Sequence, residues 1–295
     1  MYTFSRLNEV YKASHELIID GSSKIVFFSD CHRGDNSKAD NFAPNRSIYL
    51  SALEYYYTHG FTYVEIGDGD ELWENKHFSS IIQAHLDVYL LMQKFYNKGR
   101  LYMVWGNHDI MKKNRNFVRK NLYEYYNPVT QKFDPLLDGI SIYEGLILRY
   151  KDKPNSIFVV HGHQGDLLND FLWPVACFLV RYIWRYLESL GFINPVSPAR
   201  STSRMYSIEN NIVDWVKANN QMLIAGHTHN PAFATPGSPP YFNSGSCVSR
   251  GYITCIEVQN GEISLSKWSR KPDRSCPLKI SHEVIAGPVK VEDFS

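Results

Sequence analysis

Residues 24–32 read KIVFFSDCH, an apolar run that breaks into Ser-Asp-Cys-His. A run so short, rich in β-branched and aromatic residues, has the character of a buried strand, with Asp30 and His32 at its carboxyl end. The pattern recurs in YVEIGD (63–68), LYMVWGNHD (101–109), SIFVVHGH (156–163) and QMLIAGHTH (221–229). Open α/β sheets place ligands beyond the carboxyl ends of their strands, so these five endings point to one common site. Six of the eleven histidines fall inside these stretches, which argues against a random scatter.

The intervening segments have helical spacing. SIYLSALEYYYTHG (47–60) and HFSSIIQAHLDVYLLMQKFYNKG (77–99) each read as one helix stopped by Gly, giving a β-α-β-α-β order and a layered α/β architecture. Residues 1–20 read as an amphipathic helix and a short strand, ELIID (16–20). RNFVRKNLYEYY (115–126) looks helical, and ISIYEGLILRY (140–150) looks like a hairpin crossing to another sheet. A helix over 208–220 precedes the fifth run, and the end of the chain reads as strands, two of them joined by an Asn-Gly turn. The expected organisation is a single domain, 1–295, carrying an inserted helical cap at 166–207.

Composition narrows the function. With 44% hydrophobic residues over 295 positions, the chain has material for one large core. A net charge of +1 offers nucleic acid no global attraction, so any basic recognition must be local. Cys31, Cys177, Cys247, Cys255 and Cys276 form no CxxC zinc knuckle, and MYTFSRLNEVYKAS lacks the apolar core of a signal peptide, so a reducing cytoplasm is expected. The longest apolar stretch, FLWPVACFLV (171–180), is too short to span a bilayer. Residues 166–193 mix Trp173, Trp184, Tyr182 and Tyr186 with Arg181 and Arg185, which suits peripheral contact with the inner membrane surface and a lipid-linked substrate. Arg181 and Arg185, one helical turn apart, are candidates to steer a diphosphate, and Arg33 and His163 are candidate phosphate contacts.

The strand ends supply Asp30, His32, Asp68, Asn107, His161, His227 and His229 as candidate ligands. Period-two alternation would put both members of the Asp30/His32 and His227/His229 pairs on one face. The set suffices for two divalent ions if Asp68 bridges them, and its mixed nitrogen and oxygen donors favour Mn²⁺, with Fe²⁺ or Zn²⁺ as alternatives. Two such ions roughly 3.5–4 Å apart can share a hydroxide that attacks a phosphoryl group in line. His108 would then protonate the leaving oxygen, with Asp109 orienting it.

In order and spacing, SDCH, GDGD, GNHD, VVHGH and GHTH resemble the calcineurin-like metallophosphoesterase superfamily from residue 24 to about 247, with YFNSGSC (241–247) similar to the strand that follows its GHxH motif. The resemblance implies a two-sheet β-sandwich flanked by helices. It implies one ion on Asp30, His32, Asp68 and His229, a second on Asp68, Asn107, His161 and His227, and His108 as the catalytic histidine. Within the superfamily, HGHQGD (161–166) is most similar to the UDP-2,3-diacylglucosamine pyrophosphatase-like branch, whereas GDGDELWE departs from the GDxVDRG of protein phosphatases. His108 stands where that branch typically has Arg, a departure in the substrate-facing part of the motif. The expected function is hydrolysis of a phosphodiester or pyrophosphate bond in a small lipid-linked or nucleotide-containing substrate. A nuclease, a cyclic-nucleotide phosphodiesterase and a non-catalytic scaffold on the same fold are the alternatives.

Overall fold

The computed structural model describes residues 2–170, 172–184, 202–271 and 280–294. A helix, α1 (Tyr2–Ala13), leads into β1 (His15–Ile19), and β2 (Lys24–Phe28) follows. Next come α2 (Arg46–Thr58), β3 (Thr62–Ile66), α3 (Phe78–Ala84), α4 (Leu86–Tyr96), β4 (Leu101–Val104) and α5 (Arg115–Leu122). A small hairpin, β5 (Glu124–Asn127) with β6 (Lys132–Pro135), precedes β7 (Ile142–Tyr143), β8 (Gly145–Tyr150) and β9 (Ser156–Val160). After α6 (Leu167–Asp170) and α7 (Trp173–Leu179), the chain continues through α8 (Thr202–Asn219), β10 (Met222–Ala225), β11 (Tyr241–Asn243), β12 (Tyr252–Gln259), β13 (Glu262–Arg270) and β14 (Ile280–Lys290).

Two large sheets organise these strands. One has the order β14-β13-β12-β2-β3-β4-β7 and the other β1-β8-β9-β10-β11. The five motif strands are thus divided, with β2, β3 and β4 parallel in one sheet and β9 and β10 parallel in the other. Alternation along β2 explains why its sequence is apolar from Ile25 to Phe28. Ile25 and Phe27 join Val64, Ile66, Leu148, Val159 and Ile224 between the sheets, while Val26 and Phe28 pack outward beneath α2 and α4. On the outside of the second sheet, Phe158, Val160 and Leu223 are covered by Leu7 and Val10 of α1 and by Ile212 and Trp215 of α8. The result is the helix–sheet–sheet–helix sandwich with three buried layers.

Several expectations meet the structure in detail. The chain crosses between sheets at Glu144, where β7 ends in one sheet and β8 begins in the other, so 140–150 is a crossover and β7 does not pair with β8. Asn260 and Gly261, at φ 55° and 74°, make the tight turn between β12 and β13. The helix expected over 77–99 is broken at His85, whose Nε2 lies 2.8 Å from the Asp40 carboxylate and whose φ is −124°. The helix expected over 115–126 stops at Leu122, because Glu124–Asn127 pair with Lys132–Pro135 instead.

Candidate metal centre

The carboxyl ends of the motif strands meet at one edge of the sandwich, where backbone bonds tie neighbouring loops within each sheet and the Asp30 carboxylate ties one sheet to the other. Asp30 N donates to Gly67 O at 3.1 Å, His32 N to Asp68 O at 2.9 Å, and Gly226 N to His161 O at 2.9 Å. Asp30 Oδ2 accepts from His227 N at 2.9 Å.

Strand alternation does not aim the paired ligands. Asp30, His32, Asp68, His227 and His229 lie past their strands in the left-handed region, at φ 53°, 47°, 50°, 69° and 57°. Such positions cost on the order of 1–3 kcal/mol each for non-glycine residues and persist only where the surroundings impose them. Glycine is required beside them. A Cβ on Gly106 would stand 2.2 Å from Asp68 Oδ1, and one on Gly67 would stand 2.7 Å from both Gly106 N and the His161 ring.

The turns bring the candidate ligands into two groups. In the first, Asp30, His32 and His229 present ligand atoms within 4.8 Å of one another, with His229 Nε2 3.1 Å from Asp30 Oδ1 and 3.2 Å from His32 Nε2. In the second, Asp68, His161 and His227 do the same, and His161 Nε2 is 3.2 Å from Asp68 Oδ2. The groups adjoin, since His32 Nε2 lies 3.9 Å from Asp68 Oδ2 and His161 Nε2 lies 4.0 Å from Asp30 Oδ1.

These atoms fit cations. Asp30 Oδ1, His161 Nε2 and the Asn107 carbonyl oxygen Oδ1 are buried without a hydrogen-bond partner. Each such orphan costs about 1–3 kcal/mol unless something binds it. The histidines are also pre-oriented: His161 Nδ1 donates to Ile66 O at 2.8 Å and His32 Nδ1 to Glu71 Oε2 at 2.7 Å, turning each Nε2 lone pair inward. Burial by itself would lower the His161 pKa, but the Asp68 and Asp30 carboxylates outweigh it and lift it to about 9.

Glu71 is the site residue that motif reading passes over, since its only signal is its place three residues after Asp68. Its other oxygen holds His108, with Nδ1 2.8 Å from Oε1. The His108 ring stacks on Trp73 at 4.2 Å and 23°. Asp109, expected to orient His108, does something else. Its carboxylate accepts from Gly106 N (2.7 Å), Gly69 N (3.1 Å), Asp68 N (3.3 Å) and Lys112 Nζ (2.7 Å), so it knits the second and third motif loops together.

The expected phosphate contacts are likewise redistributed. Arg33 is wholly buried, its guanidinium spent on Glu65 at 2.7 and 2.9 Å and Asp70 at 2.8 Å, and no face remains for a ligand. Arg181 donates to the backbone oxygens of Leu72 and Trp73, both at 2.8 Å, while Ala176 and Val180 pack on Trp73. That arginine fastens α7 to the second motif loop. Arg185 lies outside the described residues, as does much of the expected cap. His163 is buried beside Trp105 and His161, with both ring nitrogens unpartnered, and burial followed by the neighbouring histidines holds its pKa well below the usual range. Asp166 accepts from Arg204 at 2.7 Å and lies 3.6 Å from His227 Nε2, so it links the candidate ligand to the start of α8.

The family model for calcineurin-like phosphoesterases matches residues 23–231, the span that carries all five motif strands. The chain belongs to the calcineurin-like phosphoesterase family. Its sandwich is the fold of that family, and its candidate ligand groups suit the divalent metals that members of the calcineurin-like phosphoesterases typically bind. Among curated proteins, none matches the chain. Solved structures similar to it include Vacuolar Protein Sorting 29 from Cryptosporidium parvum, at 11% identity and a TM-score of 0.42, covering 90% of this chain and 98% of that one. A putative 5′-nucleotidase from Staphylococcus aureus is similar at 14% identity and a TM-score of 0.35, covering 89% of this chain and 54% of that one. Likeness at this level says nothing of activity or partner.

Proposed function

We propose that this chain hydrolyses a phosphodiester or pyrophosphate bond of a small substrate with two divalent ions, Mn²⁺ foremost. One observation carries the reading: two adjoining and largely buried groups of nitrogen and oxygen ligand atoms, with the buried Asn107 Oδ1 of the third motif lacking any hydrogen-bond partner. Asp30, His32 and His229 would hold one ion and Asn107, His161 and His227 the other, with Asp68 between them. Bound ions of this kind supply Lewis acidity and a water-derived nucleophile at neutral pH.

The chain's own groups do the rest. Glu71 accepts the Nδ1 proton of His108, so Nε2 is the nitrogen available to a leaving oxygen. Burial lowers and Glu71 raises the His108 pKa, with a net upward shift in the direction of the protonated, donating form. Trp73 fixes the ring plane by stacking. Asp109 and Lys112 act behind the site by holding the loops that carry Asp68 and Asn107.

Similarity of HGHQGD to the lipid pyrophosphatase motif favours a pyrophosphate link over a monoester. No described helix is long and apolar enough to cross a membrane. The expected peripheral contact would fall on α7 and its extension, which expose Leu172, Val175, Phe178 and Tyr182.

The test is hydrolysis of bis-p-nitrophenyl phosphate and of a UDP-sugar by protein loaded with Mn²⁺, with bound metal counted in parallel. Turnover abolished by a chelator and restored by Mn²⁺ is expected. A fully metallated protein inert toward both, and toward DNA and cyclic nucleotides, would overturn the enzymatic reading in favour of a scaffold.

A further inference from the structure

Beyond the loop that follows His32, a groove of about 680 Å³ lies between α3, the end of α5 and the β5–β6 hairpin. Its size is that of a small-molecule site, for which about 300–1,000 Å³ is usual. Asp35 lines this groove and also a tight crevice whose other walls include His32 and Glu71. The Asp35 loop therefore borders both the groove and the crevice beside His32 and Glu71.

The lining has a definite chemistry. Phe133 and Tyr126 meet edge-on at 5.6 Å, yet remain 68% and 43% exposed, an aromatic surface the fold leaves open. Beside it, Gln83 Nε2 donates to Tyr126 O at 2.6 Å and Asn121 Nδ2 to Phe117 O at 2.8 Å. Those bonds orient both amides and leave their carbonyl oxygens as acceptors, joined on the groove wall by the Glu124 carboxylate and the Lys120 ammonium. An aromatic platform rimmed by amide and carboxylate acceptors and by the Lys120 and Ser79 donors is complementary to a ring with an apolar C–H face and several hydroxyls, which both donate and accept. A purely apolar ligand would leave those acceptors unpaired.

We propose that this groove is a subsite for a polyhydroxylated ring, the sugar of an ester whose phosphate sits at the metal centre. The inference rests on the phosphoesterase reading above for its place in catalysis, but not for binding. Saturation-transfer NMR of the full chain with methyl β-D-glucopyranoside and, separately, uridine reads binding without turnover. Saturation of ring protons is expected, reduced about fivefold in Phe133→Ala and Gln83→Ala, as the loss of one aromatic face or one anchored acceptor implies. Transfer to the glucoside alone identifies a hexose phosphate as the source, and transfer to uridine alone a nucleotide. No transfer to either in the wild type overturns the subsite, even if the protein hydrolyses esters.

A kinetic arm uses one chromophore on two esters. Where uridine shows transfer, Phe133→Ala should raise KM for uridine 5′-(p-nitrophenyl phosphate), or where the glucoside does, KM for glucose 6-(p-nitrophenyl phosphate), about fivefold with little change in kcat, and leave bis-p-nitrophenyl phosphate unaffected. An equal effect on both esters would also overturn the subsite. Because Phe133 is exposed, the variant should fold, which circular dichroism checks, and Phe133→Tyr should restore binding.

Discussion

Nδ1 of His108 lies 2.8 Å from Oε1 of Glu71, and the second oxygen of the same carboxylate is 2.7 Å from Nδ1 of His32. One buried anion thus sets the orientation of a candidate metal ligand and of the candidate proton donor. Burial would raise the Glu71 pKa, but the adjacent His108 and His32 outweigh it and hold it at about 2, so the carboxylate remains charged across the working range.

Replacing Glu71 with Gln leaves one acceptor for two imidazoles. We expect kcat toward bis-p-nitrophenyl phosphate to fall about 10–100-fold, with some loss of bound metal, as for other groups behind metal ligands. His108→Ala should lower kcat by about 10²–10⁴ with metal content unchanged. Full activity in His108→Ala would remove it from the mechanism.

Metal binding should stabilise the fold, because Asp30 Oδ1, His161 Nε2 and Asn107 Oδ1 lack partners without it. At a hundredfold excess over Kd, a ligand of the native state contributes about 2.7 kcal/mol. Thermal unfolding of the wild type with and without Mn²⁺ should show a clear rise in Tm, diminished in Asn107→Ala. A Tm indifferent to Mn²⁺ in the wild type would count against the site.

Lys112 is buried with Nζ 2.7 Å from both Asp109 and Asp70. Lys112→Met keeps the volume but leaves those carboxylates short of a countercharge. The expected loss is about 3–5 kcal/mol, read as a lower urea midpoint with little change in slope. A midpoint within error of wild type would mean the network is satisfied without the ammonium.

Away from the site, Glu257 accepts from Tyr56 and lies 2.8 Å from His282 Nε2. Burial raises its pKa, but the bonds from His282 and Tyr56 outweigh that and depress it below the usual value. A depressed carboxylate contributes stability that is present above its unfolded pKa and lost as pH falls through the folded one. Glu257→Gln should therefore unfold at lower Tm than wild type at pH 7, with the gap closing below about pH 4. An unchanged gap at pH 3 would show that the contact is not acting through charge.

Some of this was open to reading in one dimension. The runs IVFF (25–28) and IFVV (157–160) are apolar at every position because those strands are covered on both faces, and that continuity marks them without a structure. Gly60, Gly99 and the Asn260-Gly261 turn end or join elements at positive φ, as their residue types imply. The break at His85 was hidden, because local spacing continues through it and only Asp40, 45 residues earlier, interrupts the helix. Glu71 was equally hidden among the acids of GDGDELWE.

The sequence by itself determined the strand ends, their polar residues and the class of chemistry those residues can support. These follow from local pattern, because strand burial and glycine turns are written within a few residues of chain. Tertiary structure decided which charges remain for function. Arg33 and Arg181 looked available to phosphate, yet one is neutralised by Glu65 and Asp70 and the other holds the backbone of Leu72 and Trp73. The orientation of His108, expected of Asp109, falls to Glu71 for the same reason. A side chain's partner is set by which segments the two sheets bring together, and electrostatic pairing in a buried site acts over a few ångströms of space rather than along the chain.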